Sequence, residues 1–386
     1  MRRTAIAALA CCLMASAGGA QEARTVRMVA PPRNVLVRYL DRANIHPPAK
    51  LGSLTIFPVC LSTVNRLDGV LTMDQALAKK LLVIDELKDA RVSQARFVNK
   101  SGDKMIFLMA GEVITGGKQN RTLTSDALLA PDSATVLELY CVQRGRWRGQ
   151  AIFAGPTTIA PLAVRASAAA KAGQGAVWDE VSKANLRMKT VTASGDLAKA
   201  MTKPENVQRL ARLRKPITAK LPRDCAGVVV ADGDRIVAAD LFNSPELFAA
   251  MKDKVLDSYL SQYEDAKLTA AGAVVRPSQE DVRNYLQACY KARFSAADTR
   301  GVGKLYKLSG PRTGQTLAHA RGGAVAKVKP RPADDWMVHT ALMEKIVPVK
   351  PVKRPVPVRP VPLPRPPRPV PQPRRLPQPQ PRLERQ

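Results

Sequence analysis

Aromatic side chains supply only 4% of this 386-residue chain. Its core is therefore expected to rest on Leu, Val, Ile, Met and Ala, with little ring packing. Histidine is scarcer still: His46, His319 and His339 are the three present. None is close in sequence to a cysteine, so a Cys–His nucleophilic pair, with Cys141 as nucleophile, has no local support. The cysteines lack C-x-x-C or similar spacing, and neither a metal ligand set nor a cofactor motif is legible. No run reaches ~18 apolar residues, so no transmembrane helix is expected. Acidic residues are outnumbered, 32 Asp and Glu against 61 Lys and Arg, giving a formal net charge of +29. Such a charge does not determine fold. It favours anionic partners: nucleic acid, anionic lipid, lipopolysaccharide or acidic cell-wall polymer.

The first twenty residues read as a secretory signal. Met1-Arg2-Arg3 is a short positive segment, Thr4 to Ala15 is apolar but too short to span a bilayer, and Gly18-Gly19-Ala20 offers a small-x-small cleavage site. Lipidation at Cys11 or Cys12 is the weaker alternative. An exported protein located in the periplasm or outside the cell is expected, and export together with scarce aromatics counts against nucleic acid as partner. After cleavage Cys60, Cys141, Cys225 and Cys289 remain. In an oxidising compartment they can form up to two disulfides, or they can serve as small buried apolar residues.

The pattern divides the rest into a lead-in segment over 21–50, a body over 51–330, and a linker with a basic proline-rich tail over 331–386. The fold class expected for the body is α+β, a mainly antiparallel sheet with several packed helices. Strands are predicted near Val35–Tyr39, Leu54–Cys60, Leu81–Ile84, Arg121–Leu129 and Thr135–Val142. A hairpin is predicted from Arg91–Asn99 and Lys104–Ala110 about the turn Lys100-Ser101-Gly102-Asp103. Helices are expected over Pro161–Ala172, Ala176–Met188 and Pro204–Lys215. Thr72 with Gln75, and Ser278 with Asp281, form capping boxes that open two more. Cys225–Val230 and Arg235–Ala239 flank the hairpin turn Asp232-Gly233-Asp234. Ser244-Pro245 opens a helix whose stripe of Leu247, Met251, Val255, Tyr259 and Tyr263 belongs to the core. Two short strands near Gly303–Leu308 and Gly314–Lys329 close the body. From Val347 the prolines deny regular hydrogen bonding and the backbone is expected to be disordered, extended polyproline II. At about 3.1 Å per residue such a tail reaches on the order of 120 Å. It serves either as an inert spacer or as a cationic arm to an anionic envelope surface.

Three stretches carry candidate chemistry. In Gly111-Glu112-Val113-Ile114-Thr115-Gly116-Gly117-Lys118-Gln119-Asn120-Arg121 the adjacent glycines allow backbone N–H groups to converge, bracketed by Lys118 and Arg121. The loop suits a phosphate or carboxylate, although its spacing and Gln119 exclude a Walker A motif. The alternative is a bulged turn in which Glu112 pairs with Lys118 or Arg121. In Tyr140-Cys141-Val142-Gln143-Arg144-Gly145-Arg146-Trp147, Arg144, Arg146 and Trp147 offer guanidinium forks beside a stacking ring. In the alternative, Trp147 covers a sheet end. Asp240, before the capped helix, stands where either a functional carboxylate or a turn-stabilising one is common. Glu112, Gly116, Gly117, Lys118, Gln119, Arg121, Arg144, Arg146, Trp147 and Asp240 are thus the candidate ligand-binding residues. No catalytic residue is assigned.

Taken in order, Gly111 to Arg121, Tyr140 to Trp147 and Asp240-Leu241-Phe242 resemble the family called ARG and Rhodanese-Phosphatase-superfamily-associated Protein domain, from about Leu51 to about Val328. The resemblance implies a phosphorylated, nucleotide-derived ligand and carries over no catalytic roles. Two functions are therefore weighed: an exported body that binds an anionic small molecule, and a non-enzymatic envelope scaffold tethered by its tail.

Overall fold

The structure, a computed structural model, describes residues 35–344 apart from 65–66, 68, 88–92, 155–157, 270–273, 290–292, 310–312 and 321–334. The expected signal segment, most of the lead-in segment and the proline-rich tail lie outside the described residues. The body is mixed α+β, with mainly antiparallel sheets and nine α-helices among the described residues.

The centre is the hairpin of Cys225–Asp232 and Arg235–Phe242, which turns at Gly233 with φ +61°. Both strands are almost wholly apolar and buried, as a strand covered on both faces requires. Leu54–Leu61 pairs with one side and Asp335–Met343 with the other. Ala43–Ile45 and Ala49–Leu51 extend the sheet past Leu54–Leu61. Thr313–Ala320, Lys304–Ser309 and Arg293–Ala297 extend it past Asp335–Met343, giving nine antiparallel strands. A second sheet of seven short strands runs through Leu82–Glu86, Gln94–Asn99, Ser133–Cys141, Arg121–Leu123 and Glu112–Ile114. A third joins Ala127–Leu129, Met105–Leu108 and Val70–Thr72, the last two in parallel.

The hairpin expected across residues 91–110 does not form. Gln94–Asn99 pairs with Leu82–Glu86 and Ser133–Cys141, while Met105–Leu108 joins the three-stranded sheet. The buried Asn99 sets the corner. Its amide donates to the carbonyls of Lys104 and Ala130, each at 2.8 Å, and its Oδ1 accepts from the Ser101 N–H at 3.0 Å. These bonds replace ladder pairing and redirect the chain. The strand expected near Val35–Tyr39 is instead the helix Val35–Leu40, because Val35, Leu36 and Tyr39 share one buried helical face. Leu197–Thr202 is a helix that the sequence reading missed, capped by Asp196 accepting from the Lys199 N–H. Asp335–Met343, expected within the linker, is a central strand; buried nearly throughout, it lacks the alternation that marks a one-sided strand.

Both predicted capping boxes are present, opening Met73–Ala78 and Gln279–Ala288. Ser244 caps the helix Pro245–Leu260, whose inner face is Phe248, Met251, Val255, Leu256 and Tyr259. Leu247 and Tyr263, assigned to the core stripe, are only partly buried against it. All four cysteines of the described body are buried thiols.

Charge, not only apolar packing, ties these layers together. Arg165, on helix Leu162–Ala169, donates to both oxygens of Asp240, at 2.8 and 2.9 Å. The Tyr259 hydroxyl donates to the same carboxylate at 2.6 Å. His339 holds Asp126 Oδ2 through Nδ1 at 2.7 Å, and its Nε2 lies 3.3 Å from Asp240 Oδ1, a charge contact without hydrogen-bond alignment. Asp126 also accepts the Ala110 N–H at 2.8 Å. With His339 protonated, two carboxylates balance two cations, all buried.

Burial opposes charge on His339, but Asp126 and then Asp240 outweigh it and raise its pKa to about 9. Burial likewise opposes charge on Asp240, but Arg165 and then His339 hold it well below the usual carboxylate range. A histidine whose pKa is raised on folding stabilises fully below its unfolded value of about 6.5 and loses that contribution as pH rises through the folded value. Urea unfolding of the protein and of His339→Gln should therefore differ most near pH 6, by on the order of 3 kcal/mol, and converge towards pH 9.5. A gap that does not change with pH would show that the imidazole is neutral.

Candidate functional site

The glycine-rich loop does hold an anion, and it is the protein's own. Glu86, at the end of strand Leu82–Glu86, has a side chain only 4% exposed. Arg121 donates one guanidinium nitrogen to both of its oxygens at 2.6 Å and another to the Gln94 carbonyl at 2.8 Å. The Lys118 backbone N–H donates to Glu86 Oε1 at 2.9 Å. The N–H groups of Gly116 and Gly117 are also taken, by Asn120 Oδ1 at 3.0 Å and the Ile152 carbonyl at 3.1 Å. Gly117 adopts φ +52°, and a Cβ there would lie 2.4 Å from the Phe153 ring. That ring lies under Arg121, with its centroid 5.1 Å from the guanidinium carbon.

Arg146 clamps the loop from the other side. Its guanidinium donates to the carbonyls of Gly116, Gly117 and Arg148 and to the side-chain oxygens of Asn120 and Gln143, at 2.7 to 3.1 Å. Asn120 and Gln143 each donate to Asp196, at 2.9 Å, so the clamp continues to the cap of helix Leu197–Thr202. Gln119 is buried and donates to the Arg144 carbonyl at 3.4 Å.

The ten candidate residues thus separate. Gly116, Gly117, Gln119, Arg121 and Arg146 form the inner clasp. Glu112 faces elsewhere: it accepts the Met109 N–H at 2.8 Å and pairs with Lys254 at 2.6 Å, and Lys254 also meets Asp74 at 2.8 Å. Asp240 belongs to the buried charge network. Lys118, Arg144 and Trp147 face outward. The Lys118 ammonium lies 5.3 Å from the centroid of the Trp147 ring, which is 51% exposed. Arg144 is exposed and stacks at 5.0 Å over Trp178, with exposed Arg148 nearby in the chain. No ion pair joins Lys118, Arg144 or Arg148 to a carboxylate among the described residues. Hence Lys118 and Arg121 do not line one pocket, since the first faces out and the second is fully buried.

Cys141 is fully buried opposite Arg121 in the ladder, and burial raises its thiol pKa. The residues missed from sequence are Glu86, Asp196, Arg165 and Asp126. Glu86 ends an ordinary strand, and nothing around it marks it as the loop's partner. A separate cavity of about 370 Å³ lies between Ala166, Ala169 and Ala170 on one side and Ala297, Lys307 and Leu308 on the other. Burial lowers the Lys307 pKa, and its ammonium donates to Gln315 at 3.0 Å.

Replacing Glu86 with Leu should remove the buried carboxylate that takes two guanidinium hydrogen bonds from Arg121 and cost about 3–5 kcal/mol. The pair Glu86→Leu with Arg121→Met should recover most of that loss in urea unfolding. If the single variant were as stable as the parent, the clasp would not be structural.

Residues 42–342 match the ARG and Rhodanese-Phosphatase-superfamily-associated Protein domain. The match includes strand Asp335–Met343 almost to its end and ends short of the proline-rich tail. No curated protein and no solved structure matches the chain. With more than half of its length matched, the chain belongs to the ARG and Rhodanese-Phosphatase-superfamily-associated Protein domain family.

Proposed function

We propose that the body binds an anionic, phosphorylated ligand at the outer face of the glycine loop, through Lys118, Arg144, Trp147 and Arg148. One observation carries this reading: a half-exposed tryptophan with an ammonium over its ring, flanked in the chain by the exposed Arg144 and Arg148, against a loop that Arg146 pins. A ring plane and cations together suit a phosphorylated ligand that also has a flat base or sugar face. The inner cations are committed to Glu86 and to carbonyl oxygens, so specificity falls to the outer residues. Calorimetric titration with inorganic phosphate and with ADP-ribose tests this. The combined variant Lys118→Ala, Arg144→Ala, Trp147→Ala should bind at least ~10-fold more weakly with nearly unchanged melting temperature. Equal binding by parent and variant, or none by the parent, overturns the proposal.

A second reading concerns the tail. Lys and Arg recur between its prolines, and Glu384 is its single acidic residue. In an exported protein this segment would act as a cationic arm on anionic envelope polymer or lipid. Deleting residues 347–386 should release the protein from envelope fractions at low salt, and added salt should release the full chain. Unchanged retention after deletion would leave the tail a spacer.

A further inference from the structure

Cys60 and Cys225 are 165 positions apart in sequence and are register partners in the antiparallel ladder between Leu54–Leu61 and Cys225–Asp232, at the bulge where the register shifts between Cys225 and Gly227. Register partners in a regular antiparallel ladder have Cα atoms ~4.5–5.5 Å apart, and a bulge disrupts that ladder only locally. That separation falls within the range a disulfide spans. Both thiols lie in the same buried core cluster, 1% and 3% exposed, and the Cys225 thiol donates to the Gly227 carbonyl at 3.1 Å. Neither other described cysteine is placed this way: Cys141 opposes Arg121 in its ladder, and Cys289 caps the helix Gln279–Ala288.

We propose that Cys60 and Cys225 are a redox-active dithiol that closes to a cross-strand disulfide in exchange with a small disulfide oxidant. The direction of attack follows from the pair. The neighbouring Cys60 thiol lowers the pKa of Cys225, while Cys225 and then burial raise that of Cys60. Cys225 is therefore the thiol that gives up its proton first, releasing its bond to the Gly227 carbonyl, and reacts as the thiolate. It attacks one sulfur of an oxidised glutathione-type disulfide, whose S–S bond breaks and whose other half leaves as thiolate. Cys60 then gives its proton to solvent and attacks the Cys225 sulfur, expelling the second half. Two protein thiols are oxidised, and one small disulfide is reduced to two small thiols. Access comes at the strand end: Cys225 begins its strand directly after exposed Arg223 and Asp224, where fraying opens the site before the global fold is lost. Closure joins an early strand to the central hairpin and removes a long loop's freedom from the unfolded chain.

The test uses the full chain, both native and refolded from urea, in reduced and oxidised glutathione, followed by alkylation and tryptic mass mapping. The expected product is one cross-linked species of Leu51–Arg66 with Asp224–Arg235, each of which contains a single cysteine. Its appearance should accompany a rise in melting temperature that dithiothreitol reverses. Cys60→Ser and Cys225→Ser should each abolish both the species and the rise. Recovery of the two peptides as separately alkylated thiols from both native and refolded protein overturns the proposal, as does linkage of either one to Cys141 or Cys289.

Discussion

The fork between Arg165 and Asp240 is the contact on which the arrangement of layers depends. Asp240 lies on the central hairpin, Arg165 on a helix, Tyr259 on a second helix, and His339 on the neighbouring strand. Through His339 the cluster reaches Asp126, just before the three-stranded sheet. Apolar packing alone permits small slips of helix over sheet. A buried bidentate pair does not, because any displacement leaves a charge without partners in a medium of low polarity. Ring contacts reinforce the point: His339 packs 4.5 Å from Phe242 and 5.7 Å from Phe107 between centroids. In a chain with so few aromatics, these rings concentrate where the charges meet.

The same rule governs the glycine-rich loop. Once Arg121 is enclosed it needs a carboxylate, and Glu86 supplies it from another strand. Gly117 packs against both Phe153 and Glu86, with no room for a side chain. Arg146 then fills its donors with loop carbonyls. A loop built of glycines and cations therefore need not be vacant for a ligand. Its geometry is that of an anion site whose anion is covalently part of the fold.

Local chemistry was legible in the sequence, and distant partnership was not. Thr72 with Gln75, Ser278 with Asp281, Ser244-Pro245 and Asp232-Gly233 each act within a few residues, and each does what its type dictates. Asn99 shows the limit: a turn lies where Gly102 suggests, but an amide reaching to Ala130 sends the two flanking strands to different sheets. Asp335–Met343 was obscured because a strand buried on both faces carries no alternation and lies close to a proline-rich tract. At the site, the positive residues were identifiable and their orientation was not. Arg121 is turned inward onto Glu86, which is 35 positions away in the chain and carries no motif.

The separation of inner clasp from outer face also decides what a functional residue can be here. Arg121, Arg146 and Gln119 cannot turn to a ligand without breaking contacts that hold the loop, so any gain in binding would be offset by lost folding free energy. Lys118, Arg144 and Trp147 carry no such obligation, and their backbone is already fixed. On the proposed reading, that backbone needs no further ordering to receive a ligand, the condition under which a few cations and one ring could discriminate among anions. Substitution on the inner side should therefore be felt first as stability, and on the outer side, if the proposed binding holds there, first as affinity.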